Sequence, residues 1–168
     1  MLNLDVNGLG VDMLSLSSHK FYGPKGTGIL YLRDDTPFMS QQLGGGHERN
    51  QRAGTENVPG IVGTALALKL AAENVDSNSK HCRALRDRLT EGIKTKISRA
   101  YLNGHPEVRL PNNVNFSFEY VDGESIVLNL DLAGVAASSG SACASASPEP
   151  SHVLSAMGIP AQLAHSSM

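Results

Sequence analysis

The sequence predicts an α/β protein of two lobes, and three observations carry that reading. Short apolar runs broken by glycine-proline turns fill the first part, a long helical pattern fills the middle, and the style of patterning changes beyond Tyr101. Val11 to Ser17 reads as a short buried strand that stops at His19-Lys20. Gly23-Pro24-Lys25-Gly26 is turn chemistry, and Thr27 to Leu32 is a second strand. From Arg33 to Thr55 there is no apolar period, only scattered apolar residues among polar ones and the run Gly44-Gly45-Gly46. A loop of that length tends to be functional or disordered.

Asn57 then caps a helix with Pro59 in its first turn. Ile61, Val62, Ala65, Leu66 and Leu70 continue its apolar pattern, and Leu85, Leu89, Ile93 and Ile97 resume it at four-residue spacing. The polar stretch Asp76-Ser77-Asn78-Ser79 lies between, so one long helix broken near Asp76 is expected, bridging the lobes. Past Tyr101, Val114, Phe116 and Phe118 alternate with Asn115, Ser117 and Glu119, the mark of a half-buried strand. Asp122 caps a helix carrying Ile126, Val127 and Leu130, which Gly134 ends. Val135 to Ser138 reads as another strand. Ser139 to Ser147 holds no Leu, Ile, Val or aromatic residue and reads as a mobile loop, after which Pro150 opens a short helix closed by Gly158.

The bulk properties exclude several classes. The 168 residues are 40% apolar and 18% charged, the composition of a soluble globule. A net charge of −2 gives no electrostatic reason to expect a nucleic acid or an anionic membrane as partner. No apolar run approaches the roughly 20 residues of a spanning helix, and Met1 to Asp5 lacks the pattern of a signal peptide. Two cysteines, Cys82 and Cys143, cannot build a disulfide framework, so a reducing, cytoplasmic setting is expected.

Three constellations could carry chemistry. The first is Ser17-Ser18-His19-Lys20 at the end of an apolar strand. A lysine in a partly desolvated pocket loses its proton more easily and can form a Schiff base with an aldehyde, while hydroxyls and an imidazole beside it suit a phosphate. A surface lysine that follows a strand by chance fits the same residues. The second runs from Gly44-Gly45-Gly46-His47-Glu48-Arg49 to Arg52-Ala53-Gly54-Thr55. Glycines admit a ligand close to the backbone, and Arg with Thr before a helix N-terminus suits an anion; a flexible charged surface loop is the plain alternative. The third is Cys143 among small polar residues. Most free cysteines are buried and inert, but this one has no apolar neighbour to bury it, and an exposed thiol suits nucleophilic or redox work. Cys82, beside Leu85 and Leu89, reads as packing. The histidines show no metal-binding spacing, so zinc is not expected.

Taken together, these segments resemble the cysteine desulfurases. Ser17-Ser18-His19-Lys20-Phe21-Tyr22-Gly23-Pro24-Lys25-Gly26 resembles the segment around that family's pyridoxal-phosphate lysine. Gly44 to Asn57 is similar to its loop that reaches across the dimer, and Ser138 to Leu154 to its catalytic-cysteine loop, in the extended form of the NifS/IscS branch. The resemblance implies the type I fold of the pyridoxal-phosphate transferases: the end of the large domain over residues 1–75, a connecting helix over 76–100, and the small α+β domain over 101–168. It further implies that Lys20 holds the cofactor covalently, that Ser17 and His19 bind its phosphate, and that Thr55 reaches the phosphate in the neighbouring subunit of a homodimer. Cys143 then takes sulfur from L-cysteine as a persulfide, leaving alanine, and passes it to an iron–sulfur scaffold or another sulfur acceptor. Transient iron–sulfur ligation through Cys143 is the one metal contact the resemblance admits.

The resemblance also implies that residues completing such a site lie outside this chain. The family's stacking histidine, pyridine-nitrogen aspartate and substrate-contacting asparagine and glutamine would precede it. The carboxylate-binding arginine would follow His165-Ser166-Ser167-Met168. The expectation is therefore a C-terminal fragment, inactive alone. Selenocysteine lyase uses the same lysine and cysteine, and a non-catalytic remnant acting as a binding or dimerisation module fits the truncation. A thiol-redox protein using Cys143 lacks a resolving cysteine.

Overall fold

A one-turn helix α1 (Val6–Leu9), capped by the Asp5 carboxylate, leads into the first strand pair of the computed structural model, which describes residues 4–138 and 149–168. Strand β1 (Met13–Ser17) pairs antiparallel with β2 (Gly28–Leu32), placing Met13 opposite Leu32 and Ser17 opposite Gly28. The sequence suggested a fully buried strand before Lys20. Instead Met13, Ser15 and Ser17 are exposed, and only Leu14 and Leu16 are half-buried. A two-stranded antiparallel ribbon separates its faces in this way, whereas strands inside a parallel sheet are buried on both.

Residues 33–57 run without strand or α-helix, as the sequence indicated, and hold one short 3₁₀-helix, Glu48–Asn50. Helix α2 (Val58–Glu73) follows. Its N-cap is Asn57, whose Oδ1 accepts the Gly60 amide at 3.1 Å. Gly60, Thr64 and Ala67 form its buried stripe, spaced at four and three residues on one helical face. The stripe is made of small residues because the segment between Ser18 and Thr27 approaches it closely. A Cβ on Gly60 would come within 2.5 Å of Thr27 Cγ2.

The helical stretch is indeed broken, but at Asn74, two residues before the expected place. Asn74 ends α2, its amide side chain donating to Leu70 O at 2.8 Å, and α3 (Val75–Lys96) contains the whole polar stretch from Asp76 to Ser79. Polar residues without glycine or proline do not stop a helix whose surface faces water. The chain forms two compact units, Met1–Asn78 and Ser79–Met168.

In the second unit β3 (Ala100–Leu102) pairs antiparallel with β4 (Phe116–Phe118), and Ser117 bridges to Ser167. Phe116 and Met168 exchange both backbone hydrogen bonds at 2.9 Å. Asp122 caps α4 (Gly123–Leu132) by accepting the Ser125 amide, and Gly134 follows in the left-handed conformation. Helices α5 (His152–Ala156) and α6 (Ala161–His165) supply Leu154 and Ala164 to a core centred on Phe116, which is 1% exposed. Ser117 was expected on the solvent side of its strand but is fully buried. Asn103 Nδ2 donates to its hydroxyl at 2.8 Å, satisfying the group that burial removed from water. Val135 to Ser138, expected as a strand, is exposed and forms none. The expected loop from Ser139 to Ser147 lies outside the described residues.

Candidate active site around Lys20

Lys20 sits in the 3₁₀-helix Ser18–Phe21, which turns the chain between β1 and β2. Backbone bonds close the turn at both ends: the Ser18 amide donates to Thr27 O at 3.1 Å and the Gly23 amide to Ser18 O at 3.0 Å. Tyr22 occupies the left-handed region at φ 67°, as the helix stop demands. Gly23 then passes so near Ser18 that an added Cβ would lie 2.1 Å from the buried Oγ. The Gly23-Pro24 pair is thus a packing requirement as well as a turn.

The four residues of the Ser-Ser-His-Lys motif divide into two kinds. Ser17, His19 and Lys20 are exposed, and their side chains make no hydrogen bond or ion pair among the described residues. Ser18 is fully buried. Its Oγ lies 2.9 Å from Thr64 Oγ1, which is 3.0 Å from Thr27 Oγ1 and donates to Gly60 O at 2.7 Å. Thr27 in turn donates to Pro24 O at 3.0 Å. Sequence reading did not single out this hydroxyl cluster. Its signal was there in the small-residue stripe Gly60, Thr64, Ala67, which marks a helix face pressed against backbone.

Among the described residues Lys20 is exposed, the surface alternative of the two environments that the motif allowed. The ribbon exposes the strand end, and no side chain among the described residues engages the amine. Thr55 is also exposed, and no hydrogen bond joins it to the Lys20 turn among the described residues. The glycine-rich loop before it is held by its own groups. The Gly54 amide donates to His47 Nδ1 at 3.3 Å and the Ala53 amide to Gln42 O at 3.1 Å. Glu48, Arg49 and Asn50 are consecutive left-handed residues at φ 48°, 56° and 64°. Cys143 lies outside the described residues. Cys82, on α3, is half-buried with a free thiol.

The second unit has its own polar features. Tyr101 Oη donates to Glu119 at 3.2 Å, and that bond and the carboxylate charge push the phenol above its usual range. Burial, followed by the nearby charge of Arg86, pulls the Arg109 guanidinium down. A cleft lined by Phe118, Tyr120, Asp122, Gln162 and His165 contains none of the residues predicted to act.

Comparison with known proteins places this arrangement. The family model for aminotransferase class V matches residues 1–166. The cysteine desulfurase IscS of Dictyoglomus turgidum is 54% identical over 165 residues, covering 98% of this chain and 42% of that protein. The cysteine desulfurase NifS of Azotobacter vinelandii is 47% identical over 162 residues, 96% of this chain and 40% of that protein. A NifS-like protein of Rickettsia africae superposes with a TM-score of 0.86 at 30% identity, over 99% of this chain and 43% of that one. Another NifS-like protein gives 0.84 at 36% identity, over 98% and 41%. The chain thus spans about 42% of the length of the curated relatives it matches, and its fold is the corresponding part of theirs. This chain belongs to the aminotransferase class-V family.

Proposed function

We propose that this chain is the lysine- and cysteine-bearing part of a pyridoxal-phosphate-dependent cysteine desulfurase. The observation that carries the reading is the Ser17, His19 and Lys20 set: three exposed polar side chains without a partner among the described residues, at the end of β1 and on the closed turn that follows, within a chain 54% identical to a cysteine desulfurase. The donor set fits one end of the cofactor. Lys20 offers an uncommitted amine for its aldehyde, and Ser17 and His19 offer uncommitted donors for its phosphate. Thr55 is equally uncommitted and would serve the phosphate of a homodimer mate.

When bound, pyridoxal phosphate supplies the electron sink that loosens the bonds at the substrate's α-carbon. Lys20 would hold the cofactor and move protons at its Nζ, while Ser17 and His19 would fix its phosphate. Cys143, as thiolate, attacks the sulfur of L-cysteine. A sulfur–sulfur bond forms, the substrate's carbon–sulfur bond breaks, and the carbon takes up a proton. L-cysteine and the enzyme thiol thereby become L-alanine and an enzyme persulfide, with no outside oxidant. A sulfur-acceptor protein, such as an iron–sulfur scaffold, then takes the outer sulfur.

Borohydride reduction in the presence of pyridoxal phosphate, followed by peptide mapping, tests the lysine. The expected result is a pyridoxyl group on Lys20, whereas labelling of Lys25 instead would overturn the assignment. In a protein completed to the length of its relatives, Cys143→Ser should keep that label and abolish persulfide formation, because lysine and cysteine act in separate steps. Cys82→Ser should spare both. A second reading, a non-catalytic binding or dimerisation module, draws on the exposure of Lys20 and would be favoured by the absence of any label.

A further inference from the structure

The hydroxyl cluster beneath the Lys20 turn has no part in the proposed chemistry, yet its three members are drawn from three separate segments. Ser18 is 0% exposed and Thr64 is 4% exposed, so neither hydroxyl can exchange its partner for water. Ser18 is held at every polar atom: its amide by Thr27 O, its carbonyl by the Gly23 amide, and its hydroxyl by Thr64. Lys20 lies two residues further on, inside the loop those bonds close. Three hydroxyl protons can fill three of four close contacts, those of Thr64 with Ser18, Thr27 and Gly60 O and of Thr27 with Pro24 O. Thr64 takes part in three of the four. Among the described residues it is the one point at which α2 grips the turn through side-chain hydrogen bonds.

We propose that Thr64 is a positioning residue for Lys20. Its hydroxyl, acting through Ser18 and Thr27, pins the 3₁₀ turn to α2 and so fixes the backbone from which the lysine departs. A lysine stem has four rotatable carbons and sets no direction by itself, so the position of its Cα decides where the amine can reach. Misplacement by about 1 Å can lower the rate of a positioned reaction by on the order of a hundredfold. The inference rests on Lys20 being the cofactor lysine.

Thr64→Val preserves shape and removes the hydroxyl, leaving Ser18 Oγ buried without its partner. Thr64→Ser keeps the hydroxyl. Amide exchange at Ser18 and Gly23 should rise about tenfold in Thr64→Val, the loss of one buried hydrogen bond. The NMR order parameter of the Lys20 amide should fall, and Thr64→Ser should restore both. The Asn103 amide, bonded to Asn115 O in the other unit, should not change, which separates local loosening from global destabilisation. Borohydride labelling with pyridoxal phosphate should shift from Lys20 toward other lysines in Thr64→Val. Unchanged exchange and order parameter in Thr64→Val would overturn the proposal, as would a loosened turn whose Lys20 labelling stays normal. Failure of the unsubstituted protein to label Lys20 would instead sink the cofactor assignment on which the inference rests.

Discussion

Tyr101 illustrates how a single exposed contact sets a titration. The hydrogen bond to Glu119, and then the carboxylate charge itself, favour the protonated phenol and raise its pKa above 10.0, with Arg99 opposing weakly. The folded protein therefore holds this proton more tightly than the unfolded chain. The contribution to stability is fully present below about pH 10 and is lost as pH rises through the folded value. In Glu119→Gln the Tyr101 titration should move back toward its usual position, and the alkaline loss of stability should lessen. Ultraviolet difference titration and denaturation midpoints above pH 10 measure the two effects; identical curves for both proteins would contradict the assignment. At the same scale, Ser17 and Ser18 show what a motif conceals. They are chemically identical neighbours, yet one is exposed and the other is the most constrained hydroxyl in the turn. Ser17 ends the exposed face of β1, whereas Ser18 opens the 3₁₀-helix that packs its hydroxyl against Thr64.

Helix α2 is the element on which the Lys20 turn depends, and its start is set by one side chain. Asn57 lies in the loop that carries Thr55, and its Oδ1 accepts the Gly60 amide. Asn57→Ala should cost about 1 kcal/mol, whereas Asn57→Asp should retain the cap. Urea denaturation of the three proteins is the check, and an alanine variant as stable as the parent would show that the cap contributes nothing. The caps of α2 and α4 were legible in the sequence because Asn and Asp satisfy helix amides through local bonds. The break between α2 and α3 was legible only roughly. Asp76 to Ser79 looks like an interruption by hydropathy, but helix continuation depends on backbone bonds, which the Asn74 side chain diverts at Leu70 O.

At the scale of the molecule, the described residues leave much apolar surface in water. Val62 and Leu66 of α2 are 63% and 57% exposed, and Leu43 and Leu132 are 87% and 79% exposed. Exposed apolar side chains in this number promote association. The 168-residue chain should therefore form concentration-dependent oligomers in analytical ultracentrifugation; a monomer at all concentrations would contradict this. It should also bind pyridoxal phosphate weakly, since Lys20, Ser17 and His19 hold only one end of the cofactor and none of them is walled from water. A tight stoichiometric complex by absorbance titration would show that one end suffices.

The sequence by itself determined the family, the first two strands, the caps of α2 and α4 and the polar triad around Lys20, because these rest on local bonding and on motifs contiguous in the chain. Tertiary structure alone decided that Ser18 serves packing rather than a ligand, that Thr64 and Thr27 meet it, and that Ser117 turns inward to Asn103. Those outcomes depend on residues as far as 46 positions apart. A hydroxyl reads the same whether it faces water or a partner, and only the approach of a distant segment settles which.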